Sequence, residues 1–306
     1  RLRNWPSERG EKWMHASTKR FSLIDGAIYA CLALVVIVTL YPFLYVLFAS
    51  VSHPEKLVQH QGVLLWPKGF TLETYRYVLE NPNITTGYRN TIFYAVAGTA
   101  LNMLMTALGA YALSRRYIRG GTAIMIMIVF TMFFSGGMIP AYLNIRNLVM
   151  LDTPWAILIP SAINTFTLIV MRTAFRGIPD SMEESAKMDG ANDFTILFRI
   201  YIPLAIPVVA VIVLFYAVQH WNAWFAALIY LRDRELFPVQ LFLREILIAN
   251  NTDSMTAGAG GQTDQLLIGE TIKYATIIIV SLPIICVYPF LQRFFTKGIM
   301  VGAIKE

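Results

Sequence analysis

The sequence predicts an all-α membrane protein, folded as one domain, with six transmembrane helices and a polar elbow between the fourth and the fifth. Hydrophobic residues make up 56% of the 306 residues and charged residues only 14%, too few to cover a soluble domain of this size. Six apolar stretches also reach the roughly 20 residues that a helix needs to cross a bilayer. They are residues 26–50, 91–113, 122–145, 153–171, 203–231 and 274–295.

The distribution of lysine and arginine predicts how these helices are oriented. If the N-terminus is cytoplasmic, the segments on that side hold most of the 25 basic residues, although they are shorter in total. Basic residues concentrate on the cytoplasmic side of membrane proteins. We therefore expect the N-terminal segment 1–22, the elbow 177–202 and the tail 296–306 to be cytoplasmic. The net charge of +6 is then a topology signal, and no nucleic-acid partner is expected.

The chemistry that is missing from the sequence narrows the mechanism. The six apolar stretches contain no aspartate or glutamate, and no glycine-rich loop of the type that binds ATP phosphates occurs. Ion-driven carriers usually hold their ion with a carboxylate or histidine at membrane depth. His220 is a candidate proton relay, with a hydrogen-bonding wall role as the alternative. Cys31 and Cys286 fall inside apolar stretches, where packing is expected.

We therefore expect no catalytic residue, no metal site and no ATPase site in this chain. The energy for uphill transport would then come from another polypeptide. An autonomous secondary carrier or channel for a polar solute is the alternative. Uptake by the isolated chain, independent of ATP, would distinguish this alternative from a transport subunit.

The polar elbow, residues 177–202, is predicted to begin with a short helix over residues 182–189. Ser181 and Glu184 can form a capping box at its start, in which their side chains satisfy free backbone N–H groups. Gly190 is expected to end it, because a left-handed residue closes the last turn and glycine adopts that conformation without strain.

A second short helix is predicted over residues 194–201, with Asn192 or Asp193 as its cap. It meets Pro203 at the head of the fifth apolar stretch, with no flexible linker between them. Such an elbow can transmit force because it is rigid, and it is suited to binding a soluble partner. A well-capped loop without a partner is the alternative.

Within the elbow, three residues separate Ala186 from Gly190, and nine separate Gly190 from Ile200. The six residues of this spaced motif are Glu184, Ser185, Ala186, Gly190, Ile200 and Pro203. This spacing resembles the E-A-A signature of permease subunits in bacterial ATP-binding-cassette importers, with serine replacing the first alanine. Residues 110–115 and the pair Trp221-Asn222 are similar to carbohydrate-uptake permeases of the maltose-importer type.

The resemblance implies a role and a set of partners. The chain would be the permease subunit of an importer in the bacterial inner membrane. It would work with a second homologous permease, two ATPase subunits that bind ATP and Mg²⁺, and an extracytoplasmic solute-binding protein that delivers an oligosaccharide. The six spaced residues would dock into a cleft of the ATPase. The tail would contact the same subunit through Gly298, Gly302 and Lys305.

Sugars are bound by amides, hydroxyls and aromatic faces, and six such side chains lie at the expected membrane depth: Asn102, Asn164, Gln219, Trp221, Asn222 and Trp224. A buried amide in hydrocarbon needs a partner, so these residues must face protein or a wet cavity. Contacts between helices are the alternative role for Asn102 and Asn164. A place in an interfacial aromatic belt is the alternative for Trp221 and Trp224.

Two further expectations concern the pathway and its substrate. Residues 135–140 interrupt the third apolar stretch with glycines and a proline, which predicts a bend that either faces the pathway or is a packing kink. The sequences of residues 41–43 and 288–293 resemble those of permeases for acidic oligosaccharides such as alginate fragments. Four basic residues outside would suit an anionic sugar, or are solvated loop charges: Arg232, Arg234, Arg244 and Lys273.

Overall fold

The structure is a computed structural model that describes residues 23–115, 117–248 and 262–303. Over those residues the chain is helical, and the single β contact is an isolated bridge between Ser52 and Phe70. The chain divides into two compact units between Tyr45 and Val46. The first unit contains most of the first helix, and the second contains the other described helices.

The helices are numbered in chain order, and the first eight are α1 (Leu23–Ser50), α2 (Pro54–Val58), α3 (Glu73–Glu80), α4 (Pro82–Ser114), α5 (Gly121–Phe133), α6 (Met138–Asn147), α7 (Trp155–Leu158) and α8 (Thr165–Arg176). They are followed by α9 (Asp180–Met188), α10 (Asp193–Ile196), α11 (Ile202–Leu204), α12 (Ile206–Trp221), α13 (Phe225–Tyr230), α14 (Val239–Ile248) and α15 (Gln262–Ala303). A π turn at Leu197–Tyr201 joins α10 to α11, and a 3₁₀ turn at Arg234–Leu236 precedes α14.

Helix α4 is the central helix of the second unit and packs against α8, α12 and α14. The Asn81 side chain starts it by accepting a hydrogen bond from the Asn83 N–H at 2.9 Å, and Pro82 occupies the first helical position. The first half of α4 lies in an apolar core with α3, α14 and α15. Its second half lies in another core with α8, α12 and the elbow, which places the elbow at the C-terminal end of α4.

Buried polar side chains hold α4 against α12. The Nε2 atom of His220 lies 2.8 Å from Oδ1 of the fully buried Asn102, whose Nδ2 donates to the carbonyl of Ser161. A second contact joins the same two helices, since the hydroxyl of Tyr216 in α12 lies 2.7 Å from that of Thr106 in α4. Because buried amides and hydroxyls must be paired, these contacts fix how the two helices meet. A contact between helices is thus the role observed for Asn102.

Three described helices are long and apolar enough to cross a membrane: Ile24–Ser50, Pro82–Ser114 and Ile268–Val287. They overlap the first, second and sixth predicted stretches. Two bent pairs meet the same criterion jointly, namely Gly121–Phe133 with Met138–Asn147, bent by 112°, and Asp193–Leu204 with Ile206–Trp221, bent by 91°. These pairs overlap the third and fifth predicted stretches.

The bend predicted within residues 135–140 is present. Helix α5 ends at Phe133 and α6 begins at Met138. Gly137 between them has φ of +86° and ψ of 175°, a backbone conformation that is essentially restricted to glycine. Pro140 lies in the first turn of α6, where its missing N–H leaves no helical hydrogen bond unmade.

The prediction of a single helix over residues 153–171 is wrong. The chain there forms the short α7 and then α8, separated by residues 159–164. Pro160 has no N–H with which to continue α7. Asn164 then starts a new helix, because its Oδ1 accepts hydrogen bonds from the N–H groups of Phe166 (2.9 Å) and Thr167 (3.2 Å).

The fifth predicted helix, residues 203–231, is also not continuous. It bends at Ala205, and Pro207 next to this bend cannot donate to the carbonyl four residues earlier. Helix α12 then ends at Trp221, and α13 begins only at Phe225.

The loop before α7 is fixed by Asp152. Its Oδ1 accepts hydrogen bonds from the backbone N–H groups of Asp233 (2.9 Å) and Arg232 (2.8 Å), and its own N–H donates to the Tyr230 carbonyl at 2.9 Å. The hydrogen bonds from Asp233 and Arg232 lower the pKa of Asp152 below its usual value, because they favour the charged carboxylate. Asp152 thus ties the loop before α7 to the segment that follows α13.

Replacing Asp152 by asparagine should lower the thermal stability at neutral pH and make it less dependent on pH. Because the folded state lowers this pKa, the stabilisation is present above the unfolded value of about 3.9 and is lost as the pH falls through the lower folded value. The gap between the melting temperatures of the wild type and Asp152→Asn should therefore shrink on acidification below about pH 4. A gap that stays constant would contradict this role.

Candidate docking site at the elbow

The elbow contains two short helices, α9 and α10, and the chain turns at Gly190 between them. Gly190 has φ of +79°, a left-handed conformation that strains residues with a Cβ. Two backbone hydrogen bonds close the turn, from the Gly190 N–H to the Lys187 carbonyl (3.0 Å) and from the Ala191 N–H to the Ala186 carbonyl (2.9 Å). The prediction that Gly190 ends the first helix is confirmed.

The starts of the two helices differ in how well the sequence predicted them. Helix α9 begins at Asp180, before Ser181, and no side chain caps its start. The predicted capping box of Ser181 and Glu184 is therefore wrong. The earlier start places Ser181 inside the first turn instead of at its cap. The second helix starts as predicted, with Oδ1 of Asn192 accepting a hydrogen bond from the Thr195 N–H at 2.8 Å.

The spaced motif has an exposed side and a buried side. Four of its six residues are exposed, and they are Glu184, Ser185, Gly190 and Pro203. Ile200 is half-buried. Ala186 is 9% exposed and packs into the core at the end of α4. Ala186 therefore forms no exposed surface with Gly190, because α9 turns Ala186 inward one turn after the buried Glu183.

The inner face of α9 carries a buried ion pair. The Glu183 side chain, 8% exposed, contacts the guanidinium of Arg115, 4% exposed, which directly follows α4. Glu183 also pairs with Lys187, whose Nζ lies 2.7 Å from Oε1. The same Nζ lies 3.9 Å from Oδ1 of Asp193 in α10. These charges link the end of α4 to both helices of the elbow.

Two tyrosine rings enclose the Arg115 guanidinium. Its Cζ lies 3.9 Å from the ring centroid of Tyr111 and 4.3 Å from that of Tyr201, and Nη1 donates to the Tyr201 hydroxyl at 2.7 Å. Tyr201 makes an edge-to-face contact with Phe175 of α8, with centroids 5.5 Å apart. Cation–π contacts contribute about 2 kcal/mol when the cation is desolvated. The rings and Glu183 together offset the removal of this charge from water.

A cleft of about 240 Å³ lies beside this pair, between the ends of α4 and α8 and the side of α9. Charges of both signs line it: Arg115, Arg176, Asp180, Glu183, Glu184 and Lys187. Arg115 and Glu183 were not among the predicted site residues. A signal was present, since Arg115 closes the family-like residues 110–115 and Glu183 precedes the motif. The pairing itself joins distant parts of the chain, so no local pattern reveals it.

The expected pathway residues divide into exposed and internal side chains. Gln219 and Asn222 are exposed, and Trp224 is half-buried. Trp221 is buried, and its Nε1 donates to the Val280 carbonyl of α15 at 3.2 Å. It therefore lies neither on an exposed face nor in an interfacial belt.

The remaining expected residues have other positions. Asn164 caps α8, a role that its position before Thr165-Phe166-Thr167 could have indicated. Cys31 and Cys286 are free and exposed. Gly298 and Gly302 lie in the last turns of α15, and Lys305 lies outside the described residues, as does the N-terminal segment 1–22.

The charged elbow lies at the end of the apolar helix α4. Residues 14–301 match the model of the family described as binding-protein-dependent transport system inner membrane component. The chain belongs to this family. It is thus a transport subunit of a bacterial membrane, a permease, and the alternative of an autonomous carrier is not supported.

Two relatives in Bacillus subtilis are similar over most of the permease. The polygalacturonan/rhamnogalacturonan transport system permease protein YtcP is 41% identical, covering 92% of this chain and 98% of the relative. The protein LplC is 40% identical, covering 88% of this chain and 90% of the relative. A chain in the crystal structure of a bacterial ABC transporter involved in the import of the acidic polysaccharide alginate is 39% identical, with a TM-score of 0.83 over 90% of this chain and 98% of that chain.

Proposed function

We propose that this permease is a membrane subunit of an ATP-driven importer of acidic oligosaccharides. It pairs with a second, homologous permease and receives its substrate from an extracytoplasmic solute-binding protein. Two ATPase subunits bind ATP and Mg²⁺ and drive alternating access, and this chain has no ATPase site of its own. Its contribution to transport is mechanical, through the elbow.

The observation that carries the coupling part of this proposal is the two-sided elbow. Its outer side exposes Glu184, Ser185 and Gly190. Its inner side is tied to the end of α4 by the buried pair of Glu183 with Arg115. A partner that moves the outer side therefore moves α4, the central helix of the unit, because the buried ion pair and the shared apolar core join the two.

The relatives support an acidic substrate. The similar crystal structure is that of a transporter involved in the import of the acidic polysaccharide alginate, and the similar YtcP is named for polygalacturonan, a polymer of galacturonic acid. Both similarities extend over about nine-tenths of this chain. The shared feature of these substrates is one carboxylate on each uronic-acid unit.

We infer that the permease crosses the membrane six times, and that both termini and the elbow are cytoplasmic because basic residues concentrate in those segments. Helices α1, α4 and α15 each supply one crossing, and the bent pairs supply two. We assign the remaining crossing to α7 and α8 together, since residues 155–176 are interrupted by only a short break. Such breaks are tolerated where protein covers the freed backbone, and α4 packs on both helices.

Asn222 provides a test of the pathway. If Gln219 and Asn222 line the sugar path, Asn222→Leu should slow uptake markedly and leave basal ATPase activity and the melting temperature of the complex near normal. The lost amide would leave one or two sugar hydroxyls unpaired, at roughly 1–3 kcal/mol each. Asn222 accepts a hydrogen bond from Gln240 at 3.3 Å. A lower melting temperature with an unchanged uptake rate per intact complex would therefore indicate a structural role.

The proposed function is tested by reconstitution. The permease should be purified with its partner permease, the ATPase subunits and the binding protein, and placed in liposomes with an oligogalacturonide outside. We expect uptake that requires ATP inside and the binding protein outside. Equal uptake without ATP, or by this chain alone, would contradict the proposal.

A further inference from the structure

One face of α14 meets the segment that follows α12. Gln240 and Arg244 are one turn apart on α14 and so share a face. Gln240 Nε2 donates to Oδ1 of Asn222 at 3.3 Å. The Arg244 Cζ lies 4.9 Å from the centroid of the Trp224 ring. These four side chains form a cluster of two amides, one aromatic ring and one cation, which we call the α14 cluster.

Arg244 is the charge in the α14 cluster, and it has no counter-ion among the side chains that the structure describes. Two other basic residues of this region have one: Arg234 pairs with Glu245 at 2.8 Å, and Lys273 pairs with Glu270 at 2.7 Å. Within residues 24–115, 117–248 and 268–287, no carboxylate forms an ion pair with Arg244, and its buried Nε has no hydrogen-bond partner. Its guanidinium is held in place on Trp224, and among the described side chains it has hydrogen-bonding capacity unused.

The α14 cluster is accessible from outside the chain. Asn222 is exposed, and Trp224, Gln240 and Arg244 are each half-buried. Amides and a guanidinium at an accessible surface of a membrane protein do not face hydrocarbon, since unpaired polar groups there are costly. The cluster must therefore face water, a water-filled cavity or another subunit.

The chemistry of the α14 cluster fits one sugar type. A planar guanidinium binds a carboxylate with two parallel hydrogen bonds, and amides bind sugar hydroxyls through both a donor and an acceptor. We propose that the α14 cluster contacts a uronic-acid unit of the substrate, with Arg244 binding its carboxylate and Asn222 its hydroxyls. This inference rests on the proposed import of acidic oligosaccharides and assigns the residue that recognises the acid.

The test compares an oligogalacturonide with its methyl ester, which keeps the shape of the sugar and removes the charge. Both are given to the reconstituted transporter carrying the wild-type chain, Arg244→Gln or Arg244→Lys. The same binding protein is used throughout, so its own selectivity cancels between variants. Arg146→Gln, which removes an exposed cation in the last turn of α6, is the matched control.

We expect Arg244→Gln to lower uptake of the free acid by about tenfold, as expected for losing a hydrogen bond to a charged group, and to leave uptake of the ester unchanged. Arg244→Lys should keep part of the preference for the acid, and Arg146→Gln all of it. An equal fall for both compounds, or no fall, would overturn the assignment and give Arg244 a structural role or none. Uptake of neither compound by the wild type would refute the proposed function, and the inference with it.

Discussion

Replacing Glu183 by leucine is expected to destabilise the elbow and abolish coupled uptake. Arg115 would remain buried, with a side chain 4% exposed, but without its carboxylate. Breaking a buried pair by removing one partner typically costs about 3–5 kcal/mol, because the other charge stays desolvated. We expect a lower melting temperature of the purified complex, together with the loss of substrate-stimulated ATPase activity and uptake.

Two further variants separate this effect from a simple loss of charge on α9. Glu184→Leu removes the neighbouring, exposed carboxylate and should leave the melting temperature of the isolated chain unchanged, whereas Glu183→Leu should lower it. The double variant Arg115→Met with Glu183→Leu should recover most of the stability, since an apolar pair of similar size can replace a buried ion pair. If Glu183→Leu and Glu184→Leu lowered the melting temperature equally, the buried pair would not be what fixes the elbow.

Replacing Gly190 by tryptophan is expected to abolish uptake and substrate-stimulated ATPase activity while the chain still inserts into the membrane. The left-handed φ of +79° costs a residue with a Cβ roughly 1–2 kcal/mol. Apart from its two chain neighbours, no atom of the described residues lies within 4 Å of a Cβ added at Gly190, so the ring would project outward into the space proposed for the ATPase.

The matched control is Gly190→Ala, which has the same backbone cost without the bulk. We expect alanine to reduce uptake moderately and tryptophan to abolish it, with similar melting temperatures for the two isolated chains. The measurement is ATP-dependent uptake per intact complex. Normal uptake with Gly190→Trp would show that the exposed side of the elbow is not a contact surface.

Features set by neighbouring residues were predictable from the sequence. The composition predicts the helical membrane class, and Gly190 and Asn192 have the conformation and the cap that residues of their type favour in such turns. The bend near Gly137 was also predictable, since two adjacent glycines followed by a proline favour a break in a helix. In each case the cause lies within a few residues of the effect.

Features that depend on tertiary contacts were not predictable in this way. The break within residues 153–171 is an exception, since Pro160 and the Asn164 cap are local signals that a reading of hydrophobicity alone does not register. The direction in which Ala186 points is set by where α9 begins relative to the core. The partner of Arg115 is found only by folding α4 against the elbow, which brings Glu183 to it.

Site-directed cross-linking tests the central claim most directly. Cys31 and Cys286 would be replaced by serine, and a single cysteine introduced at Ser185 on the exposed side of α9, with Arg146→Cys as the control. A short reagent that joins a thiol to an amine should then link the elbow to the ATPase subunit in the assembled transporter, and the control should give no such product. A transporter that imports normally but yields no product from position 185 would contradict the account.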